Sequence, residues 1–258
     1  MRATLNRLYS TIRRILTNVG YDLVITKIYP DYVEPEFARL YDRFRDVTML
    51  NWQAAYMTYK AAEYVAVQNI EGDIVECGVW KGGATLVMAD TLFMKSSISR
   101  NFYLYDTFQG MSEPTESDHS FTGPAVGRYR RKRRGTFVDW AYASIDDVRK
   151  NMRRSEYPFE RFIFVPGMVE RTIPSIIPDR IALLRLDTDF YESTRHELRF
   201  LYPRLSVGGI LICDDYRSWH GARKAFDEYF LNKRGFFYVV DSGSGRAIGV
   251  KLSEEGNA

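Results

Sequence analysis

Two aliphatic runs, each ending in a pair of aspartates and joined by a single helical segment, constrain this chain more than any other feature. They lie in residues 181–216, IALLRLDTDFYESTRHELRFLYPRLSVGGILICDDY, where Asp187 and Asp189 close the first run and Asp214 and Asp215 the second. Short, continuous apolar runs of this kind read as strands of a parallel sheet buried on both faces. In an open parallel sheet the carboxyl ends of neighbouring strands face one crevice, where ligands bind, so the four carboxylates are expected to converge. Like charges gathered there repel unless a hard cation neutralises them, and an all-oxygen donor set suits magnesium, calcium or manganese rather than zinc. The competing explanation is local, because Asp is a favoured helix N-cap and each aspartate can serve as a cap alone. Two strand ends bearing D-x-D and D-D, each after a dense aliphatic run, favour the metal.

The remaining composition narrows the setting. A length of 258 residues with 45% hydrophobic and 27% charged side chains fits one large globular domain and excludes disordered and fibrous classes. The net charge is only +3, with much of the excess in residues 128–134, RYRRKRR. A nucleic-acid footprint would have to be local, and no nucleic-acid partner is expected. Cys77 and Cys213 each sit inside a strand pattern, which argues against a disulfide framework and for a reducing, cytoplasmic compartment. No apolar run approaches the roughly 20 residues of a membrane span, and the N-terminus lacks a signal-peptide core. Leu5, Leu8, Ile12, Ile15, Leu16 and Val19 recur at helical spacing among Arg2, Arg13 and Arg14, so residues 1–29 are expected to form an amphipathic helix. Such a helix packs on its own domain or on a second subunit of a homo-oligomer, or lies weakly on an anionic membrane surface.

Pro30 and Pro35 break that pattern, and residues 36–69 resume as helix. Residues 72–83, GDIVECGVWKGG, then give a strand and a glycine-rich turn, followed by a helix over 84–95. The glycines of the turn, Gly78, Gly82 and Gly83, let a ligand approach the backbone at the helix N-terminus. The turn is neither G-x-G-x-x-G nor a G-K-[ST] phosphate loop. Glu76 beside it repels a pyrophosphate and accepts hydrogen bonds from an ammonium group, which points to a cofactor bearing an amino acid. A second strand, 101–106, ends in Asp106, where acids commonly bind ribose hydroxyls. Residues 107–141 are polar and long enough to read as a lid insertion, whose basic run either touches substrate phosphates or is simply solvated. Ser144 and Asp147 have the spacing of a capping box. Residues 162–167 form a third strand, 172–177 a short helix stopped by Pro178, 220–231 a helix, and 236–240 with 246–252 a closing hairpin. The expected class is α/β, with an open, mostly parallel sheet. It comprises an N-terminal helical extension over 1–69 and a main domain over 70–258.

The segments VECGVWKGG at 75–83, YDTFQGM at 105–111, LRLDTDFYEST at 184–194 and GGILICDDY at 208–216 resemble the macrocin O-methyltransferase family of the TylF/MycF type. Its members are S-adenosylmethionine- and metal-dependent enzymes that methylate sugar hydroxyls of natural products, and the likeness runs from about Thr48 and Met49 to the C-terminus. The resemblance implies a class I methyltransferase (Rossmann-like) sheet of seven strands, with magnesium on Asp187, Asp214 and Asp215 and Asp189 as general base. It implies Glu76 and Gly78 at the amino-acid moiety of S-adenosyl-L-methionine and Asp106 on its ribose, with Gly82, Gly83, Thr107, Ser144, Gly167 and Met168 also on the cofactor. Thr48, Met49 and His220 fall on the acceptor side. If the strand persists, Asp189 shares a face with Asp187 and stands beside the metal without ligating it. His119, His196 and His220 are rival bases; the first two rank lower because one lies in the insertion and the other inside a helix, and His220, after the Asp214–Asp215 strand, stays a candidate for substrate contact. Two other functions compete: an NAD- or nucleotide-sugar-dependent oxidoreductase, disfavoured by the missing pyrophosphate fingerprint, and a non-enzymatic module that binds anionic ligands through the basic run.

Overall fold

The computed structural model describes residues 11–18, 29–120, 122–233, 235–240 and 245–254. The chain divides into two compact units, Met1–Ala38 and Arg39–Ala258. In the first, residues 11–18 are helical, with Ile12 and Ile15 exposed. Residues 1–10 and 19–28, where the rest of the expected amphipathic helix falls, lie outside the described residues.

The second unit is built on one sheet. Its strands are β1 (Asp73–Cys77), β2 (Phe102–Asp106), β3 (Phe162–Pro166), β4 (Ile181–Leu186), β5 (Leu205–Cys213), β6 (Phe236–Val240) and β7 (Ala247–Lys251), in the order β6-β7-β5-β4-β1-β2-β3. The first five run parallel, and β7 is antiparallel to both β5 and β6. This is the expected α/β class with its closing antiparallel pair; the turn at 241–244 lies outside the described residues. The helices are α1 (Pro35–Phe44), α2 (Trp52–Val67), α3 (Gly83–Met94), α4 (Ala125–Lys132), α5 (Ile145–Met152), α6 (Val169–Thr172), α7 (Tyr191–Leu201) and α8 (His220–Phe230).

Strand order reverses between β1 and β4, which makes the carboxyl ends of these two strands the crevice of the fold. The register sets Cys77 opposite Leu186 and Leu186 opposite Cys213, so Gly78, Asp187 and Asp214 leave the sheet side by side. The ladder continues one step past the strands: the Asp187 amide donates to the Cys77 carbonyl at 2.8 Å and the Asp214 amide to the Leu186 carbonyl at 2.9 Å. Every residue of β4 is buried, and α3 is buried from Gly83 to Leu92. A helix apolar on every side belongs in a core, and α2 packs along α3 from outside.

Two helical expectations are corrected. The helix expected over 36–69 is broken between α1 and α2. Asn51 caps α2 by accepting the Ala54 amide at 2.9 Å, and Arg154 grips Asp46 through two hydrogen bonds of 3.0 and 2.9 Å. The interruption turns Thr48 and Met49 into a loop over the crevice. The helix expected over 172–177 lies earlier, at α6, because Pro174 has no amide with which to continue it.

The insertion is folded rather than featureless. It carries α4 and two short ribbons, His119–Ser120 with Gly123–Pro124 and Arg133–Arg134 with Phe137–Val138. Its neck closes at Gly110, φ +87°, where a Cβ would stand 2.0 Å from the Val138 carbonyl oxygen. Trp140 packs against Trp219 and Phe190 with ring centroids 5.8 and 6.2 Å away. The buried Asp118 carboxylate accepts from the Thr115 amide at 2.7 Å, the Thr115 hydroxyl at 2.8 Å and the Tyr191 amide at 2.9 Å. One side chain thus fastens the insertion to the first residue of α7. Replacing Asp118 with Ala removes three hydrogen bonds, each at a net of about 0.5–1.5 kcal/mol. The variant is expected to lose about 2–4 kcal/mol in urea denaturation and to be cut faster between residues 112 and 139 in limited proteolysis.

Candidate active site

β4 carries one polar side chain, Arg185, and it is wholly buried. Its Nη1 donates to Glu76 Oε1 and Asp187 Oδ2, both at 2.7 Å, and its Nη2 donates to Asp214 Oδ1. Arg246 Nε reaches the same Asp214 oxygen at 2.7 Å. Burial works against the Arg185 charge, but Asp187, Asp214 and Glu76 outweigh it and hold the guanidinium protonated. Burial would also raise Asp214, yet Arg185 and Arg246 keep its carboxyl below the ordinary range.

Asp215 and Asp189 lack such cations. Burial, then the charges of Asp189 and Asp187, push Asp215 well above the usual carboxylate range. Burial and the Asp187 charge lift Asp189 to about 7. The shared strand face expected for Asp187 and Asp189 is not found, because β4 ends at Leu186 and Asp189 adopts φ +66°. Asp is among the few side chains that tolerate this left-handed region. The turn brings the Asp189 amide to Asp215 Oδ2 at 3.0 Å, so Asp189 stands beside the acidic cluster by a route that strand periodicity does not describe. Beneath it, the buried Glu197 accepts from the Thr188 hydroxyl at 3.2 Å. Oxygens of Asp187, Asp214 and Asp215 lie within 4.8 Å of one another.

These acids line a cavity of about 420 Å³, the scale of a small-molecule site. Gly78, Gly83, Asp106, Thr107, Gly167, Met168, Thr48 and Met49 line it with them, as does Glu76. Gly78 is obligatory: at φ +83° its Cβ would stand 1.9 Å from the Asp187 carbonyl oxygen. Glu76 faces inward, one oxygen on Arg185 and the other accepting the Thr85 hydroxyl, and burial pushes it up to about 7. Asp106 Oδ2 accepts the Val79 and Trp80 amides at 2.8 and 2.9 Å, and Oδ1 accepts the Phe108 amide at 2.7 Å. It therefore fixes the glycine turn as well as facing the cavity.

Three expected residues do not line the cavity. Gly82 ends the turn as the N-cap of α3. Ser144 is committed to the capping box, donating to Asp147 Oδ2 at 2.6 Å and accepting the Asp147 amide at 3.2 Å. His220 is exposed at the start of α8. Of the rival bases, His119 is exposed in the insertion, and His196 Nε2 pairs with the Ile173 carbonyl at 3.0 Å. Sequence reasoning missed Arg185, Arg246, Arg128, Trp140 and Trp219, all of which reach the cavity. A guanidinium in an otherwise aliphatic strand was the available signal for Arg185. Nothing in the basic run separates Arg128 from its neighbours.

A glycine turn after β1, an acid closing β2 and aspartates just past β4 and β5, on this strand order, fit an S-adenosylmethionine-dependent O-methyltransferase, and comparison with known proteins shows the chain to be one. Residues 45–236 match the family described as Macrocin-O-methyltransferase (TylF), and the chain belongs to it. It is 35% identical over 194 residues to demethyldecarbamoylnovobiocin O-methyltransferase of Streptomyces niveus, covering 75% of this chain and 70% of that protein. It is 31% identical over 182 residues to mycinamicin III 3''-O-methyltransferase of Micromonospora griseorubida, covering 70% and 69%. Among solved structures, the O-methyltransferase NovP superposes with a TM-score of 0.70 at 30% identity, covering 80% of this chain and 83% of that one. Among the described residues no helix is long and apolar enough to cross a membrane.

Removing one member of a buried ion pair typically costs 3–5 kcal/mol, because its partners stay buried and uncompensated. Arg185→Met is therefore expected to lower stability by about 3–5 kcal/mol in urea denaturation at neutral pH. The loss should shrink as pH falls, because protonation discharges Glu76, Asp187 and Asp214.

Proposed function

We propose that the protein transfers the methyl group of S-adenosylmethionine to a sugar hydroxyl, on a glycan or a glycosylated small molecule, with magnesium held by Asp187, Asp214 and Asp215. The observation that carries this reading is the convergence of three carboxylates from two adjacent strand ends within 4.8 Å, on the wall of the cavity that holds the glycine turn. The donor set fits the ion. All three ligands are hard carboxylate oxygens, and Arg185 and Arg246 occupy a single oxygen of Asp214 while Arg185 takes one of Asp187, so each residue keeps an oxygen for a cation. A divalent cation there supplies Lewis acidity toward an acceptor hydroxyl. A further relative, 36% identical over 179 residues and covering 69% of this chain and 64% of that protein, is the 8-demethyl-8-(2,3-dimethoxy-alpha-L-rhamnosyl)-tetracenomycin-C 4'-O-methyltransferase of Streptomyces olivaceus, whose name carries a rhamnosyl group and so supports the sugar acceptor.

The protein's residues divide the remaining work. Asp189, lifted toward neutrality by burial and Asp187, accepts the hydroxyl proton as the oxygen–carbon bond forms and the carbon–sulfur bond of the sulfonium breaks. A base poised near the working pH is the efficient choice. The glycine turn lets the cofactor approach the backbone, Asp106 Oδ1 has accepting capacity left for a ribose hydroxyl, and Glu76 acts by fixing Arg185. Trp140, with the Arg128 guanidinium stacked on its ring, and Trp219 give the cavity an aromatic wall against which a sugar ring can lie. The free, buried Cys77 and Cys213 fit a reducing, cytoplasmic setting.

Chelation should abolish methyl transfer to a glycosylated acceptor, and magnesium should restore it. Asp215→Ala should lose magnesium binding in calorimetry while still binding S-adenosylhomocysteine, and full activity after exhaustive chelation would reject the metal. Asp189→Asn should retain both cofactor and magnesium affinity but turn over about a hundred to ten thousand times more slowly, the range for general-base catalysis. Undiminished turnover in that variant would remove Asp189 from the reaction.

A further inference from the structure

The proposed chemistry leaves unused a wholly buried acid under the acid cluster. Glu197 of α7 accepts the Thr188 hydroxyl on Oε2 at 3.2 Å. Among the described residues its Oε1 has no hydrogen-bond partner, and no cation stands within ion-pair distance of either oxygen. Burial holds the carboxyl well above its ordinary range, and the charges of Glu170 and Asp187 push the same way against the bond from Thr188. An isolated ion in such a place is strongly disfavoured, so the side chain is a neutral acid. Even neutral, it leaves a buried oxygen orphaned, which destabilises the fold, whereas an aliphatic side chain would fill the same space without that defect. A buried polar group left partly unsatisfied asks for an explanation outside stability.

The explanation lies in the loop that Glu197 touches. Asp187 is fixed independently, its amide on the Cys77 carbonyl at 2.8 Å and its carboxylate on Arg185 at 2.7 Å. Beyond it the chain turns through Asp189 at φ +66°, a left-handed conformation that persists only where its surroundings enforce it. On one side the Asp189 amide is tied to Asp215 at 3.0 Å. On the other, two buried residues one turn apart on α7 hold the loop: Ser193, whose hydroxyl donates to the Phe190 carbonyl at 3.1 Å, and Glu197, through Thr188. We infer that Glu197 is a positioning residue for methyl transfer: through Thr188 it sets the turn that aims Asp189 at the acceptor oxygen, without itself touching substrate or cofactor. The inference rests on the reading of Asp189 as the base. A misplacement of about 1 Å at a reacting group costs on the order of a hundredfold in rate, so such a tie acts on turnover and leaves binding alone.

Glu197→Leu keeps the bulk and removes the tie, while Glu197→Gln keeps an acceptor for the Thr188 hydroxyl and carries no charge. With the glycosylated acceptor used for Asp189→Asn, Glu197→Leu is expected to lose roughly ten- to a hundredfold in kcat. Its KM and its affinities for magnesium and S-adenosylhomocysteine should stay within twofold of wild type, with a thermal midpoint no lower. Glu197→Gln should restore most of the rate. Thr188→Val cuts the same tie from the half-buried loop without altering the core. It should reproduce the loss, and combining it with Glu197→Leu should slow the enzyme no further, as expected for two ends of one interaction. In protein saturated with S-adenosylhomocysteine and magnesium, the Asp189 and Phe190 amides should exchange hydrogen faster in Glu197→Leu and Thr188→Val than in wild type or Glu197→Gln. Wild-type kcat in Glu197→Leu overturns the inference, as does a loss that falls on KM or magnesium affinity, a failure of Glu197→Gln to restore the rate, or unchanged exchange at Asp189. Full turnover in Asp189→Asn would instead bring down the base, and this inference with it.

Discussion

The structure turns on a cation built into its own core. Arg185 lies where β1, β4 and β5 end together, and it binds one carboxylate from each: Glu76, Asp187 and Asp214. Without it, three strands would deliver uncompensated charge into a place water does not reach, at several kcal/mol per ion. With it, the strand ends are held in one orientation by forked hydrogen bonds, and the acids are presented to the cavity from a fixed floor. Arg246 adds a second tie to Asp214 from the edge of β7. Neither guanidinium is bonded to Asp215 or Asp189, on the outward side of the cluster.

The fold was legible in the sequence because its signals are short-range. Dense aliphatic runs, the glycine turn and the terminal hairpin pattern each report on their own segment, and β1 to β7 fall where those signals lie. Much of the site was legible for a related reason: strand-end acids in an open parallel sheet have a single crevice to enter. What could not be read depended on turns and on contacts between distant segments. Asp189 reaches Asp215 through a left-handed residue that ends the strand, so the alternation argument gave the right neighbourhood by the wrong geometry. The break at residues 45–51 depends on Arg154 reaching Asp46 from far along the chain. The tie between Glu76 and Arg185 could not be read because the two lie more than a hundred residues apart.

The aromatic residues of the insertion follow the same logic. Trp140, Phe190 and Trp219 come from three separate segments and meet only when the insertion lies down on α7 and α8. Their spacing along the chain carries no period, and a high aromatic content announces a cleft without locating it. The result is a cavity with two unlike walls. One is the rigid, charge-paired floor of the sheet; the other is an aromatic surface shared by Trp140 of the insertion and Trp219 at the start of α8.

Asp118 joins those walls. The same carboxylate that closes the Thr115 turn of the insertion also holds the first amide of α7, two residues past Asp189. A molecule too large for the insertion must therefore strain the anchor of the acid loop at the same time as it strains the rim. The insertion and the loop that carries Asp189 are in that sense mechanically one part, and a push on either is felt at the other.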